Sequence, residues 1–145
     1  MSFEKMQDFN EKKPVHERSC IMLYYFTPAE MKQLQLAAKL AGINDQIILK
    51  QEHGDCTLQA ILDDQLTSSE GEILKHKAII FNNVSGSRVG AFLQGLKKIR
   101  MSRPLVAVTT ETSIKWPLKE LLLQLNEERY AINSNRFTEH EKEAE

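Results

Sequence analysis

The sequence predicts a single α/β domain: a four-stranded, mainly parallel sheet in the order 2-1-3-4, with about four helices, built from two similar βαβα halves. Three observations carry that prediction. Cys20 to Phe26 and Ala78 to Phe81 are continuous apolar runs of strand length, the pattern of strands covered on both faces. Two further short apolar runs, Ile47-Ile48-Leu49 and Leu105-Val106-Ala107-Val108, follow at similar spacing. Between the runs, apolar residues recur with helical period, and alternating strands and helices build sheets with crossover connections.

Each element has its own signals. Before the first strand, Met1 to Ser19 has no sustained apolar period, so residues 1–19 read as a flexible arm. After that strand, Thr27-Pro28-Ala29-Glu30 is a helix start: Thr27 caps, Pro28 suits the first turn and Glu30 completes a capping box. Met31, Leu34, Ala38 and Ala41 follow at helical spacing, and Gly42 ends the helix. The second strand, within Gln46 to Gln51, has polar neighbours and belongs nearer an edge. His53-Gly54-Asp55-Cys56 is a turn, and Asp55 or Thr57 caps a helix with Leu58, Ile61, Leu62 and Leu66 on its apolar face.

The second half follows the same grammar. Its first strand ends in Asn82-Asn83, and Ser85-Gly86-Ser87 starts a helix whose buried face is Val89, Phe92, Leu93, Leu96 and Ile99. Lys97, Lys98 and Arg100 suit the negative end of that helix. Pro104 introduces the fourth strand, and Pro117 opens a last helix with Leu118, Leu121, Leu122 and Leu125 inward. A shift of about 58 positions lays Thr27-Pro28 over Ser85-Gly86 and Leu34 over Phe92, and one of about 60 lays Leu58 over Leu118. The domain is expected over residues 20–132, its halves over 20–66 and 78–126, with a flexible acidic tail at 133–145. The two longest apolar strands belong inside, and a ligand site is expected at strand carboxyl ends where the order reverses, beside Phe26-Thr27 and Asn82 to Ser87.

Composition narrows the function classes. Apolar residues make up 41% and charged residues 27%, ordinary for a soluble globular chain of 145 residues. A formal net charge of −1 gives no basic excess for nucleic acid or an anionic membrane, so neither is expected as a partner. No apolar run approaches the ~20 residues of a membrane span. Two cysteines, Cys20 and Cys56, fit a reducing, cytosolic compartment. In a parallel sheet they fall about 20 Å apart, too far for a disulfide.

Four chemical constellations stand out. His53, Asp55 and Cys56 are the catalytic candidates, because a thiol beside an imidazole can act as a nucleophile. A capped turn with a small apolar cysteine explains the same residues more simply. Ser85, Ser87 and Arg88, with Asn82 and Asn83 before them, are candidates for holding an anion at a helix start, although the dinucleotide and phosphate-loop glycine patterns are absent. Thr110, Glu111 and Trp116 are candidates for lining a pocket. His16, His53, His76 and His140 are scattered without ligand spacing, so no metal is expected, and no cofactor loop is present. Strand ends at Tyr25-Phe26 and Asn82-Asn83 lack the acidic residues of a phospho-receiver.

The stretch Pro104 to Leu125 joins a short apolar strand, the turn Thr110-Glu111-Thr112, and Trp116 before a leucine-rich helix. In this it resembles an uncharacterised bacterial family, the domain of unknown function numbered 3783, with the best match from Ala78 to Leu125. The resemblance implies a bacterial cytosolic α/β domain and assigns no catalytic residue. The expected function is therefore a non-catalytic ligand-binding or protein-interaction module. Its partner is a small molecule or a protein, a second copy of the chain included. The alternative is a small enzyme with a His/Cys or anion-binding site at the strand carboxyl ends.

Overall fold

A computed structural model describes residues 14–71 and 73–130. The element order is β1 (Cys20–Tyr24), α1 (Pro28–Leu40), β2 (Gln46–Leu49), α2 (Leu58–Leu62), β3 (Ala78–Asn82), α3 (Gly86–Leu96) and β4 (Leu105–Val108), with a last helix, α4, over 118–130. Short 3-10 turns occur at Gln51–His53 and Ser113–Lys115. The four strands form one open sheet in the order β2-β1-β3-β4. The expected acidic tail at 133–145 lies outside the described residues, as does most of the expected N-terminal arm.

Within each half the strands run parallel, β1 with β2 and β3 with β4, but the central pair β1 and β3 is antiparallel. That pair is centred on Met22 opposite Ile80. The outer strands repeat the geometry, Met22 facing Ile47 in one half and Ile80 facing Ala107 in the other. Local features recur at the same offset: Thr27 and Ser85 both cap helices, and Tyr25 (φ 67°) and Asn83 (φ 51°) both take left-handed backbone after a central strand. Non-glycine residues reach that region at a cost, so its occurrence twice marks the same sharp exit from the sheet.

All five residues of β1 and of β3 are buried, because alternate side chains feed two separate cores. Cys20, Met22, Tyr24, Ala78 and Ile80 face α2 and α4, packing with Leu58, Ile61, Leu118 and Leu122. Ile21, Leu23, Ile79 and Phe81 face α1 and α3, packing with Leu34, Ala38 and Phe92. Phe81 meets Phe92 edge to face, centroids 5.6 Å apart and planes at 80°, the geometry that sets a positive ring edge on a negative face. Between α1 and α3 a Cβ placed on Gly95 would lie 3.5 Å from that of Ala37; these small residues let the two helices approach closely.

Helix ends follow the sequence signals. Thr27 Oγ1 accepts from the Glu30 N–H at 3.2 Å, and Glu30 Oε1 accepts from the Thr27 N–H at 3.0 Å, a complete capping box. Gly42, at φ 83°, turns the chain out of α1. Of the two candidate caps for α2, Thr57 is the one used, its hydroxyl accepting from Ala60 at 3.1 Å. That helix stops at Leu62, so Leu66 lies beyond it and is exposed. The segment 14–19 before β1 is bonded to the domain: Arg18 donates twice to Asp45, at 2.7 and 3.1 Å, and once to the Leu62 carbonyl at 3.1 Å.

Phe92→Ala should lower the unfolding free energy by about 3–5 kcal/mol, read by chemical denaturation, whereas Leu36→Ala on the exposed side of α1 should change it by less than about 0.5 kcal/mol. Burial pushes the Cys20 thiol from 9.0 up to about 11. Stability linked to it is complete below pH 9.0 and is lost as pH rises towards about 11, where the unfolded chain ionises first. Cys20→Ala should therefore reduce the fall in melting temperature across that window.

Candidate ligand-binding site

The antiparallel centre of the sheet separates the strand ends at which a shared site was expected. The carboxyl end of β1 lies beside Ala78, the first residue of β3, while the carboxyl end of β3 lies beside Cys20, the first residue of β1. Phe26-Thr27 and Asn82 to Ser87 are therefore at opposite ends of the sheet and do not form one crevice. The topological rule that placed them together applies to parallel neighbours.

At the β3 end, Asn82 is buried and fully engaged. Its Nδ2 donates to the carbonyls of His16 at 3.1 Å and Arg18 at 2.5 Å, and its Oδ1 accepts from the Thr109 hydroxyl. Asn83 Nδ2 donates to the Glu17 carbonyl at 2.8 Å. The two asparagines thus fasten the segment before β1 to the end of β3. Ser85 caps α3, its Oγ accepting from the Arg88 N–H at 3.4 Å and lying 3.2 Å from Ser87 Oγ. The Arg88 guanidinium Nε sits 3.5 Å from where a Cβ would stand on Gly42, so this side chain lies over the carboxyl end of α1.

The turn His53 to Cys56 is likewise built from structural bonds. His53 is buried, and its Nδ1 accepts the Lys50 N–H at 3.0 Å, while Nε2 lies 3.7 Å from Glu52 Oε1. Cys56 Sγ donates to the Thr67 carbonyl at 3.2 Å and accepts the Thr67 N–H at 3.4 Å. The imidazole and the thiol share no hydrogen bond, so the histidine is not placed to take the thiol proton. Asp55 pairs with Lys119 at 2.6 Å, and that ammonium together with the Ser69 hydroxyl holds its carboxyl below the usual range. Gly54 leaves room for Ile73, whose Cγ2 would stand 2.5 Å from a Cβ there.

Thr110 belongs to a tight cap: its N–H and hydroxyl donate to Ser113 Oγ at 2.9 and 3.0 Å, and its Oγ1 accepts the Ser113 N–H at 2.9 Å. Glu111 is exposed, and Trp116 packs partly buried on the α2/α4 core. The turns around Cys56 and Trp116 meet through their backbones, Leu58 N–H donating to Trp116 at 3.1 Å and Leu118 N–H to Cys56 at 2.8 Å. An isolated antiparallel bridge joins Thr57 to Pro117 at this point. Both starts of the α2/α4 layer are thereby tied together. Among the described residues, no group of three His, Cys, Asp or Glu side chains comes together to hold a metal, and no helix is long and apolar enough to cross a membrane.

An open cleft lies elsewhere, beside α3 and above β4. It has a volume of about 520 Å³, with apolar walls that include Leu93, Leu96, Ile99, Met101 and Val106. Lys97 and Arg103 are its charged residues. In the other half the corresponding strand position is Gln46, whose Nε2 reaches from β2 to the carbonyls of Gln35 at 3.2 Å and Ile43 at 3.4 Å. Val106, 41% exposed, has neither the length nor the amide to make that bridge and lines the cleft instead. A second cleft, of about 510 Å³, lies between α1 and α3 beside Leu36 and Leu40.

The reading of the sequence did not single out Val106, Met101 or Arg103. One signal was present: the helical stretch from Val89 to Ile99 carries apolar residues over a wider arc than one sheet-facing stripe requires. The shift of about 58 lays Ile47-Ile48 over Leu105-Val106, and it is the strand register, Gln46 beside Ile21 and Val106 beside Ile79, that makes Gln46 the counterpart of Val106.

The family model described as Domain of unknown function (DUF3783) matches residues 77–132. The match runs from β3 into α4 and includes every residue of the cleft beside α3. No curated protein and no solved structure matches the chain.

Asn82→Ala should lower stability by about 1–3 kcal/mol, because the buried Thr109 hydroxyl and two carbonyls lose their partner. Asn82→Asp should be at least as damaging, since it sets an anion against the carbonyls of His16 and Arg18. Urea denaturation of both variants checks the order.

Proposed function

We propose that the protein is a non-catalytic binding module of the cytoplasm and that its ligand is held in the cleft beside α3. The observation that carries this reading is the contrast between Gln46, which spans the strand-to-helix gap in one half, and Val106, which leaves it open. A cleft of this size falls within the roughly 300–1,000 Å³ range of small-molecule sites. A reducing compartment is supported by the two buried thiols, Cys20 and Cys56, both free.

The enzyme alternative is less well supported by the same geometry. Cys56 spends its proton on Thr67, His53 accepts a backbone N–H, and Asp55 faces Lys119. Each candidate group has a structural bond that a catalytic cycle would have to break. A second binding reading, contact with another copy of the chain, is favoured by Leu36 and Leu40, 59% and 81% exposed on α1 beside the second cleft.

A fragment screen followed through backbone amide resonances tests the reading. Shifts should cluster between Leu93 and Val106, and Val106→Gln should remove them without lowering the melting temperature by more than a few degrees. Shifts confined to residues 50–57 would instead favour the enzyme alternative. Sedimentation across a concentration series addresses the second copy: a dimer that dissociates in Leu40→Glu would move the proposal to the α1 surface.

A further inference from the structure

We propose that the cleft beside α3 takes a carboxylate with an aliphatic body, the chain lying on Leu96, Ile99, Met101 and Val106 and the anionic head meeting Arg103 and Lys97. This inference rests on the reading of that cleft as the binding site, and it adds the chemical class of the ligand.

The walls define the body of the ligand. Apolar side chains that remain in contact with water in a concave site gain most from an apolar guest. Val106 stands on the outer strand beside Ile79, on the face of the sheet that packs against α1 and α3, and lines the cleft together with Ile99 and Met101. At the counterpart position the Gln46 amide donates to two backbone carbonyls. A polar guest in the open cleft would find no such bridging group at Val106.

The charges define the head. Between α3 and β4 the sequence reads Lys97-Lys98-Ile99-Arg100-Met101-Ser102-Arg103, with four cations and no acidic residue. The lysines at 97 and 98 are accounted for by the carboxyl end of α3, where cations are favoured. Arg103 is not, because it lies well beyond the helix end at Leu96. Among the described residues no carboxylate lies within ion-pair distance of Arg103 or Lys97. A further cation stands behind it. Arg129 from α4 donates to the carbonyls of Arg103, at 2.9 Å, and Pro104. Burial, and then the nearby Arg103 charge, lowers the Arg129 pKa.

Two guanidinium groups that repel one another, with an ammonium at the same rim, favour an incoming anion and disfavour a cation. Arginine also presents paired donors that suit the two oxygens of a carboxylate. The aliphatic stems of Lys97 and Arg103 can extend the apolar wall while their charged ends stay at its mouth. Apolar floor and cationic mouth together select an amphiphile with a single negative end, used as a free monomer.

The test titrates isotope-labelled full-length protein, at neutral pH and below micelle-forming concentrations, with decanoate, decanol and decylamine. Decanoate should shift the amides of residues 93–106 in a saturable way and bind at least about tenfold more tightly than decanol, with decylamine weaker still. Raising the salt concentration should narrow the gap between decanoate and decanol. Arg103→Gln should weaken decanoate by about tenfold while leaving decanol unchanged, and Val106→Gln should weaken both; circular dichroism confirms that each variant is folded. If decanol binds as tightly as decanoate, or if Arg103→Gln changes neither, the carboxylate assignment is overturned and the cleft stands as an apolar site. If none of the three compounds shifts those amides, the cleft itself is not the ligand site and both readings fall.

Discussion

The antiparallel pairing of β1 with β3 is the constraint on which the rest of the architecture depends. Each is completely buried, so each must supply two opposed apolar faces, and the pairing centred on Met22 and Ile80 aligns those faces across the middle of the sheet. Because the pair runs in opposite directions, the helix after each strand returns on the same side, and α1 and α3 become neighbours above one core. The helices α2 and α4 occupy the other side for the same reason. A parallel centre would have gathered the strand carboxyl ends at one edge, whereas this one disperses them.

That dispersal decides which functional readings survive. Side chains that look chemically active in the sequence, such as His53, Cys56, Asn82 and Ser85, occupy the turns where the chain leaves the sheet. Those turns carry backbone donors and acceptors that need partners, and the polar side chains supply them. Asn82 closes three hydrogen bonds at one end of the sheet, and Cys56 closes two with Thr67 at the other. What is left unfilled is a place where the halves differ. Gln46 bridges to two backbone carbonyls, whereas Val106 at the same register position is exposed at the wall of the cleft.

Much of the fold was legible because burial writes directly into the sequence. The runs Cys20 to Phe26 and Ala78 to Phe81 have no polar interruption, and only strands inside a covered sheet tolerate that. Thr27, Pro28 and Glu30 announced a helix start through chemistry confined to four residues, which needs no tertiary information. Strand direction was different. Whether β3 runs with or against β1 depends on the path of the chain between Leu62 and Ala78, and the composition of that polar segment does not encode it. The cleft was hidden for a related reason. Val106 reads as an ordinary strand valine, and its 41% exposure at the wall of a cleft is a property of the packed structure rather than of the local sequence. Arg103 carried a weak signal as a cation too far from the helix end to serve it.

The bonds that join the starts of α2 and α4 bear on how the molecule opens. Leu58 donates to Trp116 and Leu118 donates to Cys56, so each helix start is held by the segment that leads into the other. Loops from opposite ends of the sheet must therefore cross the same face before either helix is secured. A fluctuation that lifts α2 breaks this reciprocal pair and releases the start of α4 as well. Amide protons in the two helices should consequently exchange with solvent through a shared opening rather than as two independent ones. The layer beneath the sheet is thus tied into one unit by bonds between segments sixty residues apart.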